Sequence, residues 1–315
     1  MSNKLNKPTK RNRFSLASGL VRTIGLLLTL CTSTTIAGQP VRVLDARGHW
    51  LALPQPAQRI VALAPHIVEN LYSAGAGDRL IGVISHSDFP AAARQLPQVG
   101  NYKSINYETL LVLKPDLIVA WGSGNGDEMI QKLRDLGFNV FVTESRTLED
   151  IPRNIRLFGK LTGTGEIADR AATQWLDRLH ALRQAHKTQA EVSVLYQVWN
   201  DPLQTLNGDH LISDVIEACG GRNVFADAVV LAPKISIESV LKRDPDVIIA
   251  SGMGDARPDW LNDWKAYPGL SAVKNGNLYH VPPDIIQRHT FRILDGMEML
   301  CRQLESTRAG QAPKQ

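Results

Sequence analysis

The sequence predicts an α/β protein of two similar Rossmann-like lobes with parallel sheets, joined by one long rigid α-helix, with a ligand cleft between the lobes. Three observations carry that prediction. The segment Ile105-Asn-Tyr-Glu-Thr-Leu-Leu-Val-Leu-Lys-Pro-Asp-Leu-Ile-Val-Ala-Trp-Gly122 returns 130 residues later as Ile235-Ser-Ile-Glu-Ser-Val-Leu-Lys-Arg-Asp-Pro-Asp-Val-Ile-Ile-Ala-Ser-Gly252. Between the copies, Gly165 to Lys187 has no proline, and glycine only at its first position. Its apolar residues Ala168, Ala171, Ala172, Trp175, Leu176, Leu179 and Leu182 are spaced as one face of a helix, roughly 35 Å long. Ahead of the first copy, an apolar strand, a helix and a second strand follow one another, the grammar of a parallel sheet. Two copies of an α/β unit flanking one helix make two lobes and a strut, and 315 residues leave room for both.

In chain order, residues 1–37 open with six basic residues (Lys4, Lys7, Lys10, Arg11, Arg13, Arg22) and no acid. An apolar run Ile24–Cys31 follows, then small and polar residues to Thr35-Ile36-Ala37, the layout of a cleaved export signal. The apolar run is far short of the ~20 residues a spanning helix needs, and no later segment supplies one. Lipidation at Cys31 is the competing reading, but Leu30 stands where such sites want a small residue, so soluble export is expected. Those six charges exceed the formal net charge of +4, so the rest of the chain is slightly acidic and offers no basic field for nucleic acid.

Val41-Arg-Val-Leu44 and Trp50-Leu-Ala-Leu53 flank the turn Asp45-Ala-Arg-Gly48 and read as a small β element. Arg59 to Ala64 is a buried strand, Pro65 opens a helix that Gly75 and Gly77 close, and Leu80 to Ile84 is the next strand. In each repeat copy a capping residue (Asn106, Ser236) opens a short helix that stops before Pro115 or Pro245 and enters an apolar strand. Thr164 is placed to cap the long helix. Glu166 and Asp169 lie near its positive end, and His180, Arg183, His186 and Lys187 near the other, as solvated cations. A weaker echo pairs Asn70-Leu-Tyr-Ser-Ala-Gly75 with Asp214-Val-Ile-Glu-Ala-Cys219. The division that results is a signal peptide at 1–37, an N-terminal lobe at 38–160, the connecting helix at 161–189 and a C-terminal lobe at 190–315.

Ligands of open α/β sheets sit beyond the carboxyl ends of the strands. Trp121 ends its strand and is expected on the cleft wall, with loops carrying His86, Tyr102 and Trp199 facing the same space. Core packing is the competing role for each aromatic. No catalytic constellation accompanies them. Gly122-Ser-Gly-Asn-Gly126 lacks the lysine and spacing of a phosphate loop, and neither G-x-S-x-G nor H-E-x-x-H occurs. His66, His86, His210 and His280 are scattered through loops without the spacing of a metal site, and no metal is assigned. With the signal removed, Cys219 and Cys301 form a pair in an oxidising compartment, either bridged or as two buried thiols.

Four groups of residues, taken with the two-lobe plan, carry a resemblance. They are His86-Ser-Asp-Phe-Pro90; Ile105-Asn-Tyr-Glu108 with Leu113-Lys-Pro-Asp116 and Ala120-Trp121; Glu217-Ala-Cys-Gly-Gly221; and Asp284-Ile-Ile-Gln-Arg288. Over roughly residues 58–304 the chain resembles the substrate-binding proteins that serve ABC importers for siderophores, haem and cobalamin, and among them the cobalamin-binding type. The resemblance implies a periplasmic, monomeric, non-enzymatic receptor without a cofactor of its own. Such a receptor captures cobalamin or a related corrinoid and hands it to an inner-membrane ABC permease dimer with its ATPase subunits.

It further implies ligand contacts at His86, where the family has a tyrosine, at Tyr102 and Trp121, and at Asp284 and Arg288. The chain departs from the pattern at Ala232, where a pocket tryptophan is expected, and Trp199 is the candidate to fill some of that volume. A Cys219–Cys301 disulfide within the C-terminal lobe is implied too. Glu108 and Glu238, at one position in the two repeat copies, become docking contacts for permease arginines. The plainer alternatives are a helix-dipole role for the glutamates and a surface pair for Asp284 and Arg288. Two competing functions stand beside this one: an iron-siderophore or haem receptor on the same scaffold, and an exported enzyme using the scattered histidines with a metal. A stiff connector implies small lobe closure.

Overall fold

The computed structural model describes residues 40–101, 103–252 and 257–311. The expected signal segment and Tyr102 lie outside the described residues.

The chain begins with an antiparallel hairpin, β1 (Val41–Leu44) and β2 (Trp50–Leu53), with Val41 opposite Leu53. The Asp45 carboxylate fixes its turn by accepting the Arg47 and His49 amides at 2.9 and 2.8 Å. Then come β3 (Ile60–Ala62), α1 (Pro65–Ser73), β4 (Leu80–Val83), α2 (Tyr107–Leu113) and β5 (Leu117–Trp121). They are followed by α3 (Gly122–Asn125), α4 (Asp127–Asp135), β6 (Val140–Thr143) and α5 (Asp150–Thr162). These strands form one parallel sheet in the order β4-β3-β5-β6.

The long helix is α6 (Gly165–His186). Beyond it lie β7 (Val192–Gln197), β8 (Trp199–Asn200), β9 (Leu203–Gln204), α7 (Leu211–Ala218), β10 (Gly221–Asn223) and α8 (Ile237–Arg243). The chain ends through β11 (Val247–Ala250), α9 (Ser271–Lys274), β12 (Leu278–His280), α10 (Pro283–Ile286) and α11 (Ile293–Gln311). The second parallel sheet has the order β10-β7-β11-β12. Both sheets are wound alike: the first strand lies inside, the second goes to one edge, and the third and fourth go to the other. The direction of winding reverses beside the first strand, which is where such sheets open a crevice at their carboxyl ends.

The internal repeat has a physical cause. Asn106 accepts the Thr109 amide at 3.0 Å and Ser236 accepts the Ser239 amide at 3.2 Å, so each caps its helix as expected. Both helices end on a left-handed residue, Lys114 (φ 48°) and Asp244 (φ 42°), just before the proline that forbids continuation. The aspartate after each proline then pins the neighbouring strand. Asp116 accepts the amides of Gln58 and Arg59 at 2.8 and 3.0 Å, and Asp246 accepts the amide and hydroxyl of Ser193 at 2.9 and 2.6 Å. Asn139 and Asn277 complete the parallel, each donating its side-chain amide to the carbonyl of its aspartate.

Along α6 the buried face is Ala168, Ala172, Trp175 and Leu179, on the expected stripe. Two local expectations are corrected. The Thr164 hydroxyl does not cap α6, since its backbone (φ −106°, ψ 30°) is not the extended one of a capping residue; it donates to the Ala74 carbonyl at the end of α1, at 2.6 Å. His186 is buried near Glu305 rather than solvated. In the C-terminal half a disulfide ties Cys219, at the end of α7, to Cys301 in α11.

Candidate functional site

Side chains at the carboxyl ends of both sheets meet across the lobe boundary. Trp121, last in β5, is half-buried and donates its indole N–H to Glu144 Oε1 at 3.1 Å. His66, second in α1, meets the indole edge-on with centroids 5.1 Å apart. From the other lobe, His289 lies 5.7 Å from His66 and 6.4 Å from Trp121, and His210 lies 5.7 Å from His289. These rings form one aromatic seam.

Burial keeps its imidazoles neutral. It pushes His66 down to about 3, with the nearby His289 and Arg288 adding to the effect. Burial and His289 push His210 down to about 3, and burial pushes His289 down to about 4. His210 Nδ1 accepts the Ile212 amide at 3.1 Å, which leaves the proton on Nε2. His289 is buried, and its Nδ1 has no partner among the described residues.

Beside the seam is a charged clamp. Glu69 of α1 is only 3% exposed, and a buried carboxylate needs pairing. Arg292 supplies two contacts to it, at 2.9 and 2.8 Å, and Arg288 a third at 3.0 Å. Arg288 also reaches Asp88 at 2.7 Å and Asp284, four residues before it, at 3.0 Å. The Arg292 guanidinium lies over the Phe89 ring at 4.0 Å. The segment His86–Pro90 is thus held to the 284–292 segment of the other lobe.

The clamp therefore brings Asp284 and Arg288 to the segment that carries His86, and Trp121 stands in the adjoining seam. His86 itself is exposed and left-handed (φ 65°), a costly conformation for a residue with a Cβ. Trp199 is half-buried at the start of β8, where its indole N–H donates to the Asp201 carbonyl at 2.9 Å; it takes no part in the seam. Glu108 and Glu238 are exposed in the first turns of α2 and α8. Of the four scattered histidines only His66 and His210 converge, and among the described residues no group of His, Cys, Asp or Glu is arranged to hold a metal ion. Sequence reading missed Glu69, His289 and Arg292. The available signal was an acid set in the apolar run Ile67-Val68-Glu69-Asn70-Leu71.

Two sheets wound alike, a long helix between them, and a boundary lined by rings and charges define a two-lobed ligand-binding protein. Residues 60–285 match the periplasmic binding protein family, and the chain belongs to that family. It is 40% identical over 255 residues to the vitamin B12-binding protein of Vibrio cholerae serotype O1, an alignment covering 81% of this chain and 92% of that protein. The crystal structure of the periplasmic vitamin B12 binding protein BtuF of Vibrio cholerae superposes with a TM-score of 0.74 at 38% identity, covering 80% of this chain and 98% of that one. The periplasmic heme-binding protein RhuT from Roseiflexus sp. RS-1 superposes with a TM-score of 0.70 at 23% identity, covering 80% and 99%, a likeness of fold alone. No helix among the described residues is long and apolar enough to cross a membrane.

Proposed function

We propose that this chain is a periplasmic receptor that captures cobalamin or a related corrinoid and delivers it to an inner-membrane ABC importer. The observation that carries this reading is the 40% identity to a vitamin B12-binding protein along 92% of that protein's length. The chemistry of the cleft supports it. A corrinoid is a wide, flat, largely apolar macrocycle fringed with amides, and aromatic walls can cover its faces while a few polar groups fix its orientation. In this reading His86, Tyr102, Trp121 and Trp199 wall the ligand, and Asp284 and Arg288 orient its amide fringe. Residues 1–37 act as a cleaved signal, 38–160 and 190–315 as the lobes and 161–189 as the connector. The protein works as a monomer, with no catalysis and no cofactor of its own. Calorimetric titration with cyanocobalamin, haemin and a ferric siderophore tests the cargo. Cyanocobalamin is expected to bind tightly and the other two weakly, whereas a preference for haemin or the siderophore overturns the reading.

Glu108 and Glu238 are proposed as the contacts for permease arginines, one on each lobe at matched positions. Bidentate arginine–carboxylate pairs would orient the receptor over the pore. Reversing both charges, Glu108→Arg with Glu238→Arg, is expected to abolish complex formation and uptake while leaving cyanocobalamin affinity nearly intact. Normal uptake by that double variant would rule out the docking role.

A further inference from the structure

Next to Trp121, the carboxyl ends of β5 and β6, the β1–β2 turn and the start of α5 enclose a pocket of about 370 Å³. Three arginines line it, Arg47, Arg146 and Arg153, together with Glu144 and Asp150. Both acids are already supplied with donors. Glu144 takes the Trp121 indole N–H on Oε1 and the Ser123 amide on Oε2 at 2.7 Å. Asp150 takes the amides of Arg146 and Thr147 at 2.8 and 3.1 Å and pairs with Arg153 at 3.0 Å. Arg47 donates to the Gly122 carbonyl and pairs with Asp127 outside the pocket. The Arg146 guanidinium is left exposed without an acid partner among the described residues. The pocket therefore presents the Arg146 guanidinium, which has no ion-pair partner among the described residues, with Arg153 beside it, and Glu144 joins the pocket wall to Trp121. Planar guanidinium forks suit phosphate oxygens better than they suit amides.

We propose that this pocket is the seat of an anionic phosphodiester, the one that joins the corrin of a complete corrinoid to its lower base, with Arg146 and Arg153 as its cations. The proposal rests on the cobalamin reading and deepens it, since it makes the receptor select complete corrinoids over those without a nucleotide tail. Glu144 links the two parts of the site: the carboxylate that holds the Trp121 indole also forms the pocket wall.

The test compares cyanocobalamin with dicyanocobinamide, which shares the corrin and lacks the tail. Wild-type protein is expected to prefer cyanocobalamin. Arg146→Gln with Arg153→Gln should weaken cyanocobalamin binding about tenfold, the range open to exposed charge pairs, and leave dicyanocobinamide within about twofold. Arg146→Lys should keep most of the affinity, and Arg146→Gln alone, at an exposed side chain, provides a folded variant with the same sign of effect. An equal loss for both corrinoids, or no loss for either, overturns the proposal. So does heat from binding of inorganic phosphate that the double substitution removes while the corrinoid preference persists, because the pocket would then serve a free anion. Failure of the wild type to bind either corrinoid would instead overturn the cargo reading, and the subsite with it.

Discussion

At the end of its third strand the N-terminal lobe carries Trp121, while the C-terminal lobe has Ser251 just past β11. At the opposite end of the same strands the lobes are nearly interchangeable. Asp116 and Asp246 each pin a neighbouring strand, Asp116 through two backbone amides and Asp246 through the amide and hydroxyl of Ser193; Asn139 and Asn277 donate to the matching aspartate carbonyls, and Lys114 and Asp244 turn left-handed at the same step. The duplication is kept where the sheet is built and lost where the cleft opens. Residues that match between the lobes explain the fold, and residues that differ are the ones to examine for ligand.

The lobes also differ in how their first helix is fastened. The C-terminal lobe ties the end of α7 through Cys219 and Cys301. At the helix cap that matches Cys219 (φ −93°), the N-terminal lobe has Ala74 (φ −77°), and each is followed by a left-handed glycine, Gly220 (φ 72°) or Gly75 (φ 77°). Ala74 has no thiol to bridge, and its carbonyl accepts the Thr164 hydroxyl instead, which fastens the end of α1. Removing each tie sharpens the contrast. Cys219→Ala with Cys301→Ala opens a loop with a sequence separation of 82 and should cost about 4 kcal/mol. Thr164→Val should cost about 1 kcal/mol. Urea denaturation of both variants checks this, and equal costs would break the comparison.

The seam between the lobes yields a smaller effect with a definite sign. Burial pushes His66, His210 and His289 down to about 3, 3 and 4, below the ordinary imidazole value of 6.5. The unfolded chain therefore takes up protons first as pH falls. Stability is full above about pH 6.5 and declines through the interval down to the folded values, by on the order of 1–2 kcal/mol per imidazole at pH 5. The shares of the half-buried His66 and His210 lie at the low end because solvent screens them. Urea melts at pH 7 and pH 5 should show that His289→Phe loses less stability on acidification than the wild type. Identical losses would mean that the seam does not couple to acid.

The fold was largely legible because its signals are local. Capping residues, Pro-Asp steps and an apolar stripe sit within a few positions of what they control, and the repeat displays them twice. The Asp284–Arg288 pair was legible for the same reason, as neighbours on one turn. The clamp was not, because Arg288 and Arg292 find Glu69 at sequence separations of 219 and 223, and no periodicity reports a contact between lobes. Thr164 misled for a related reason: a good capping residue was taken by a carbonyl 90 positions away. Asn139 and Asn277 escaped notice since the recognisable repeat ends at Gly122 and Gly252, before either is reached.

Cyanocobalamin titration of Trp121→Ala beside Ser251→Ala, with thermal melts of both, tests most directly whether the divergent ends of matched strands bind the ligand. Trp121→Ala is expected to bind at least about tenfold more weakly while still melting cooperatively, since a large aromatic anchor is worth more than ~1.4 kcal/mol, and Ser251→Ala to bind like the wild type. Wild-type affinity in Trp121→Ala, or equal losses in the two variants, would contradict that expectation.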